Sequence, residues 1–276
     1  MLRSSLATRR SMSEPKQSPE PATNAVFIPT WKPHQRPNMK LPAFSFCLII
    51  TLVLMTTHSG SAAVALIPVQ SITAHHRGDN DSPGDGSLVR LVNGAGINQV
   101  NPNDISTWTH GTGWQNGWQG ANGSTTVPLG TGWVVLDFGS VQTYMESLYL
   151  WNVNESTGTV DRGVQDFNIW YADSPTVAPP PATTTQTAYD FNSGGWTQLG
   201  GTNTLAQGVG NAPILPSGSF DLTGIPSAQY IGLEFLSNYG STFRVGLAEI
   251  AVTVPEPGRA ILLFLGAAGL VLRRRR

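Results

Sequence analysis

The feature that most constrains the fold is a period of two. Across residues 66–253 apolar and polar side chains alternate in short runs, and no stretch repeats at the 3.6-residue spacing of an amphipathic helix. Gly, Asn, Pro and Thr separate the runs, which predicts strands at 88–92, 133–138, 148–153, 164–171, 196–199, 218–222, 230–236 and 243–252. In the fourth, Phe167, Ile169 and Tyr171 share one face, and Asp166, Asn168 and Trp170 the other. In the seventh, Ile231, Leu233 and Phe235 share a face. Short antiparallel strands joined by long loops predict an all-β fold, a two-sheet sandwich or jelly roll. The segment 174–187, with Pro179-Pro180-Pro181 and Thr183-Thr184-Thr185, reads as a loop between strands. An interdomain linker is the alternative, but neither half has enough strands alone.

Both ends read as targeting sequence. Residues 1–38 are polar and rich in Ser and Pro, which predicts disorder. Residues 39–65 carry Lys40, an apolar stretch at 44–55 and small residues ending in Ala63-Val64-Ala65. That is the layout of a signal peptide, handled by the secretion machinery and signal peptidase, and it makes Met39 a better start than Met1. The one cysteine, Cys47, lies inside that apolar stretch, so the mature chain is expected to lack a thiol. Residues 254–276 hold Pro255-Glu256-Pro257, an apolar run at 260–272 and then Arg273, Arg274, Arg275 and Arg276. That run is about 20 Å long as a helix, short of the ~30 Å hydrocarbon core. The arginines hold the end on the cytoplasmic side.

A short apolar tail behind a small polar motif is also the layout of a GPI signal, whose tail is removed. Motif, run and basic terminus together resemble the PEP-CTERM sorting signal of Gram-negative bacteria. The resemblance implies an exosortase-type protease-transpeptidase as partner and transient membrane insertion of the 260–272 helix. It also implies a mature chain at the cell surface or in the extracellular matrix. An ordinary C-terminal membrane helix is the alternative.

Charge is segregated. Between residues 66 and 257 the basic residues are Arg77, Arg90, Arg162 and Arg244, against fifteen Asp and Glu, a net of −11. Such a surface repels nucleic acid, whose binding needs Lys and Arg on phosphates. It is compatible with calcium, which takes oxygen ligands.

The run 134–139, Val-Val-Leu-Asp-Phe-Gly, resembles the "LDLG" strand of discoidin, or coagulation factor 5/8 type C, domains. Leu150-Trp151-Asn152 is similar to the family's "LWN" strand. The run 163–169 is similar to "GVKDFEI", Tyr230-Ile231-Gly232-Leu233 to "YVRL", and 245–250 to the closing "VGLSEI". Gly232 stands where the family usually has Arg. The ordered series implies a galactose-binding-like sandwich over residues 66–253. It also implies a calcium site made by Glu249 and an early loop. Asn93 stands there in place of Asp, with Asp104 and Thr107 in the loop's later part. The other reading makes Glu249 a structural residue satisfied by loop amides.

Three further features could carry function. The loop 108–127 places Trp108, Trp114 and Trp118 among Gly and Asn, and exposed indoles stack on sugar rings. The alternative is that they plug the open end of the sandwich. The stretch His75-His76-Arg77-Gly78-Asp79-Asn80-Asp81, with Asp85, reads as a solvated loop, since the EF-hand spacing is absent. Paired acids such as Asp161 with Asp166 or Glu234 with Glu249 could be imagined as a glycosidase pair. With fifteen acids present such pairs arise by chance, and no nucleophile elbow, zinc motif or phosphate loop accompanies them. The expectation is therefore an exported, non-enzymatic surface or matrix module that binds extracellular glycan. A purely structural matrix protein and a polysaccharide-acting enzyme are the alternatives.

Overall fold

The computed structural model describes residues 64–78, 88–124 and 126–255, all within one compact unit, His58–Arg276. Residues 1–38, most of the signal segment, Asp79, Asp81 and Asp85, and Glu256 through Arg276 lie outside the described residues. Among the described residues no helix is long and apolar enough to cross a membrane.

The fold is an all-β antiparallel sandwich. Its strands are β1 (Ser71–Ala74), β2 (Ile97–Asn98), β3 (Thr109–His110), β4 (Trp118–Ala121), β5 (Gly132–Gln142) and β6 (Ser147–Asn152), followed by β7 (Asp166–Ala172), β8 (Thr197–Thr204), β9 (Gly218–Asp221), β10 (Ala228–Phe235) and β11 (Arg244–Thr253). One sheet runs β1-β5-β10-β7-β8 and the other β4-β11-β6-β9, with β2-β3 a separate pair. From β4 to β7, and again from β9 to β11, successive strands alternate between the two large sheets, the connection pattern of a jelly roll.

The period-two reading locates the core. Val134, Leu136 and Phe138 of β5 pack with Phe167 and Ile169 of β7 and with Ile231, Leu233 and Phe235 of β10. They meet Leu148 and Leu150 of β6 and Val245, Leu247, Ile250 and Val252 of β11 from the other sheet. The apolar residues at 88–92 do not form a strand. Leu88–Leu91 is a 3-10 turn that buries Leu88 and Leu91, three residues apart and so on one side.

Both outer faces are covered. Over the five-stranded sheet, Trp133, Val135 and Trp170 pack with Phe191, and with Tyr189, Trp196 and Tyr230 at the edges. A Cβ on Gly232 would fall 2.3 Å from Phe191 Cε1, so the bare backbone of β10 makes the room that this ring fills. The proline-rich loop between β7 and β8 lies along β1. Pro180 O accepts from Thr73 Oγ1 (2.6 Å), Thr183 O from the Arg77 amide (2.8 Å), and Thr187 O from Trp133 Nε1 (2.8 Å). These bonds hold the loop against β1 and the residues that follow it. Over the four-stranded sheet, Trp108, Ile105 and Ile97 cover Tyr149, Trp151, Ala248 and Ala251.

The histidines at 75 and 76 are buried, which corrects the solvated-loop expectation there. His75 fills the space between Gly120 of β4 and Gly132 of β5, where an added Cβ would sit 2.5 and 2.6 Å from its ring. Its ring meets Trp118 edge-on at 5.3 Å. Burial pushes the His75 pKa down to about 4. Glu234 and Glu249 lie on different sheets, and Glu234 already accepts from Asn168 Nδ2 and Trp170 Nε1, so they form no catalytic pair. Asp166 is likewise engaged, accepting from Thr204 Oγ1 and Ser237 Oγ.

Candidate functional site

Trp108 and Trp118 are not the exposed indoles expected from sequence. Trp108 is 5% exposed and Trp118 0%. The Trp108 indole donates to Asn101 O at 2.7 Å, and that of Trp118 donates to His76 O at 3.2 Å. Glycine at 117 and 120 allows Ala248 and His75 to close over these rings instead of presenting them. For Trp114 the backbone is described, in the 3-10 turn Trp114–Asn116; its side chain is not.

The neighbouring loop end does carry an exposed ring. Phe243, just before β11, is 50% exposed. The guanidinium carbons of Arg162 and Arg244 stand 5.4 and 5.3 Å from its centroid. These are two of the four basic residues between 66 and 257. Arg162 donates to Gln119 Oε1 (3.1 Å) and pairs with Glu155 Oε2 (3.6 Å), while Gln119 Nε2 donates to Glu155 Oε1. Burial raises the Glu155 pKa, and Arg162 opposes that shift.

On the segments linked to Phe243, polar groups are left without partners. Among the described residues six buried side-chain atoms lack a hydrogen bond, and five are here: Asn122 Nδ2 and Oδ1, Asp161 Oδ1, Gln186 Oε1 and Ser241 Oγ. Backbone and amide bonds tie them together. Asn122 N donates to Phe243 O (3.0 Å), Ser241 N to Asp161 O (3.3 Å), and Gln186 Nε2 to Asn122 O (3.4 Å). Each such buried group costs roughly 1–3 kcal/mol unless water or a ligand satisfies it. An exposed aromatic ring with guanidinium groups over it, next to segments that hold unpartnered amide, hydroxyl and carboxylate atoms, offers both the apolar and the hydrogen-bonding groups that a hydroxyl-rich ligand needs.

The sixth atom is Glu249 Oε2, in a different place. A β-bulge between Leu247 and Glu249 resets the alternation of β11, so Ile250 and Val252 turn inward and Glu249 outward. There it is 4% exposed, at a depression of about 320 Å³ lined by Leu66, Val69, Val92, Asn93, Ile97, Gln99, Trp108 and Ala251 among others. Glu249 Oε1 accepts from the Gly94 amide at 3.1 Å. Burial raises its pKa to about 8, opposed by that bond.

The four residues expected to hold calcium are not brought together. Asn93 and Glu249 share this depression, but Asp104 lines another one with Glu146 and Tyr149. Asp104 Oδ1 accepts from Ser106 N (3.0 Å) and Ser106 Oγ (2.6 Å), capping a 3-10 turn. Thr107 Oγ1 donates to Asp104 O and accepts from Asn101 N. The carbonyls of Gly94 and Gly96 accept from Ile97 N and Gly111 N, and Ala95 O lies 3.0 Å from His110 Nε2. No group of three or more His, Cys, Asp or Glu is placed to hold a metal among the described residues. Of the expected set, Asn93 and Glu249 are the two that share a depression, and calcium takes six to eight oxygens.

No family model matches the sequence, and no curated protein matches it. Solved structures do. A fucose-binding module of Streptococcus pneumoniae aligns at 12% identity and TM-score 0.39, over 70% of this chain and 96% of that one. A factor 5/8 type C domain from Bacteroides fragilis aligns at 12% identity and TM-score 0.40, over 67% and 90%. A glycoside hydrolase aligns at 11% identity and TM-score 0.38 over 69% of this chain, which spans only 32% of the hydrolase.

Proposed function

We propose that this chain is an exported β-sandwich that binds glycan through its loop end. Phe243 is the stacking ring, Arg162 and Arg244 flank it, and Asn122, Asp161, Gln186 and Ser241 are the polar rim. The observation that carries the reading is the coincidence of a half-exposed ring with five unpartnered buried polar atoms on the segments around it. An apolar face rimmed by hydrogen-bonding groups complements a pyranose, which has both. Catalysis has no part in this reading. A glycan array probed with the full chain and with Phe243→Ala tests it. Retention by the wild type and loss by the variant supports it; equal retention refutes it.

Export rests on the sequence alone: the signal segment 39–65 and the tail 254–276 with its Pro-Glu-Pro motif, short apolar run and four arginines. In this reading an exosortase-type enzyme removes the tail, leaving the sandwich at the cell surface or in the matrix. Mass spectrometry of mature protein from the native host should find no peptide from 260–276; an intact tail on surface-resident protein would refute processing. The burial of Trp108 and Trp118 favours a second reading, a structural matrix module without a ligand. An array with no retained glycan would select it.

A further inference from the structure

The depression over the β11 bulge shares no residue with the loop end. We infer that it is a second binding site, and that its ligand is a small organic molecule bearing a primary ammonium group. Three observations carry this. Glu249 Oε2 is buried without a partner while Oε1 is held by Gly94 N, so one carboxylate oxygen is left for a ligand. The depression, about 320 Å³, is of the size that holds small molecules, and Val69, Val92, Ile97 and Ala251 give it apolar walls. Its polar lining besides Glu249 includes the amides Asn93 and Gln99, both exposed.

An ammonium has three donors and no acceptor; Glu249 Oε2 and Gln99 Oε1 can accept from it, and its charge draws off the proton that burial otherwise keeps on the Glu249 carboxyl. A divalent cation needs about twice as many oxygens, and Asp104 lines a different depression. An anion meets a carboxylate in a chain stretch with four basic and fifteen acidic residues, whose field repels it and concentrates cations. The ammonium can belong to an amino sugar or to an alkylamine such as a lysine side chain.

Titration calorimetry on the full chain separates these, with D-glucosamine, n-butylamine, N-acetylglucosamine and calcium chloride as probes. Glucosamine binding alone assigns an amino sugar; binding of butylamine as well assigns the amine irrespective of the sugar ring. Glu249→Gln, which keeps the shape and the bond from Gly94, should weaken binding about tenfold or more, the loss of one charge-assisted hydrogen bond. Gln99→Ala, at the exposed rim, should weaken it less. Phe243→Ala should leave it unchanged, which keeps failure here distinct from failure at the loop end. Equal binding of N-acetylglucosamine, no binding of either amine, or calcium binding that Glu249→Gln abolishes would each overturn the inference.

Discussion

Replacing Glu249 by Gln should change stability by an amount that depends on pH. Burial holds the Glu249 pKa at about 8, against an ordinary 4.5. Between those values the folded chain keeps a proton that the unfolded chain has released. Its contribution is therefore fully present below about pH 4.5 and is lost as pH rises toward 8, at about 1.4 kcal/mol per pH unit. From pH 5 to pH 7 the loss amounts to about 2.5 kcal/mol. Gln carries no proton to lose, so Glu249→Gln should gain about that much relative to wild type across the interval. His75 slopes the other way. Its folded pKa is about 4 against 6.5, so its contribution is present above 6.5 and lost as pH falls toward 4. That is about 2 kcal/mol between pH 7 and pH 5. Burial also lowers His76 and His110, which slope as His75 does, and raises Glu155, which slopes as Glu249 does; removing the Glu249 term should make Glu249→Gln weaken on acidification more steeply than wild type. Urea unfolding at 25 °C in EDTA, at pH 5 and pH 7, measures both. A Glu249→Gln effect equal at the two pH values within about 0.5 kcal/mol would mean that Glu249 titrates as an exposed acid, and the burial argument would fail.

Gly232→Ala should destabilise by roughly 1–3 kcal/mol, because its Cβ would press on the Phe191 ring and disturb the outer aromatic cluster; thermal melts followed by tryptophan fluorescence test this, and an unchanged melting temperature would refute the packing. Trp118→Ala should cost roughly 3–5 kcal/mol as a core deletion. If that variant instead melted like wild type but lost glycan retention, the indole would be a binding residue after all.

The fold was legible where side chains alternate over six or more residues. β5, β6, β7, β10 and β11 are long enough for the period to show; in β7 and β10, Phe167, Ile169, Ile231, Leu233 and Phe235 enter the core as expected, with Tyr171 partly buried against it. The short strands β1 through β4 escaped notice because two to four residues carry no period. In β4 the glycine at 120 looks like loop sequence; it is there because His75 from another strand occupies the position of a side chain. That constraint is tertiary and leaves no local mark.

The site was harder to read for related reasons. Tryptophans among glycines suggest display, yet glycine lets neighbours close over a ring as readily as it exposes one. Phe243 is in phase with Val245 and Leu247, which face the core, so alternation assigns it inward. It is exposed, standing just before the first residue of β11. Glu249 is in the same phase and would also point inward, were it not for the bulge that follows Leu247. Nothing in the run 245–250 announces that bulge. The unpartnered atoms of Asn122, Asp161, Gln186 and Ser241 come from four separate segments, and only the folded chain makes them neighbours.

The most direct test of the central claim is amide chemical-shift mapping of the full chain with the oligosaccharide best retained on the array. Binding at the loop end predicts that the largest shifts fall on Asn122, Asp161, Arg162, Ser241 and Phe243, with Ala248 and Ile250 unmoved. Shifts centred instead on the 3-10 turn at Trp114, or on the outer aromatic cluster at Trp196 and Tyr230, would contradict it.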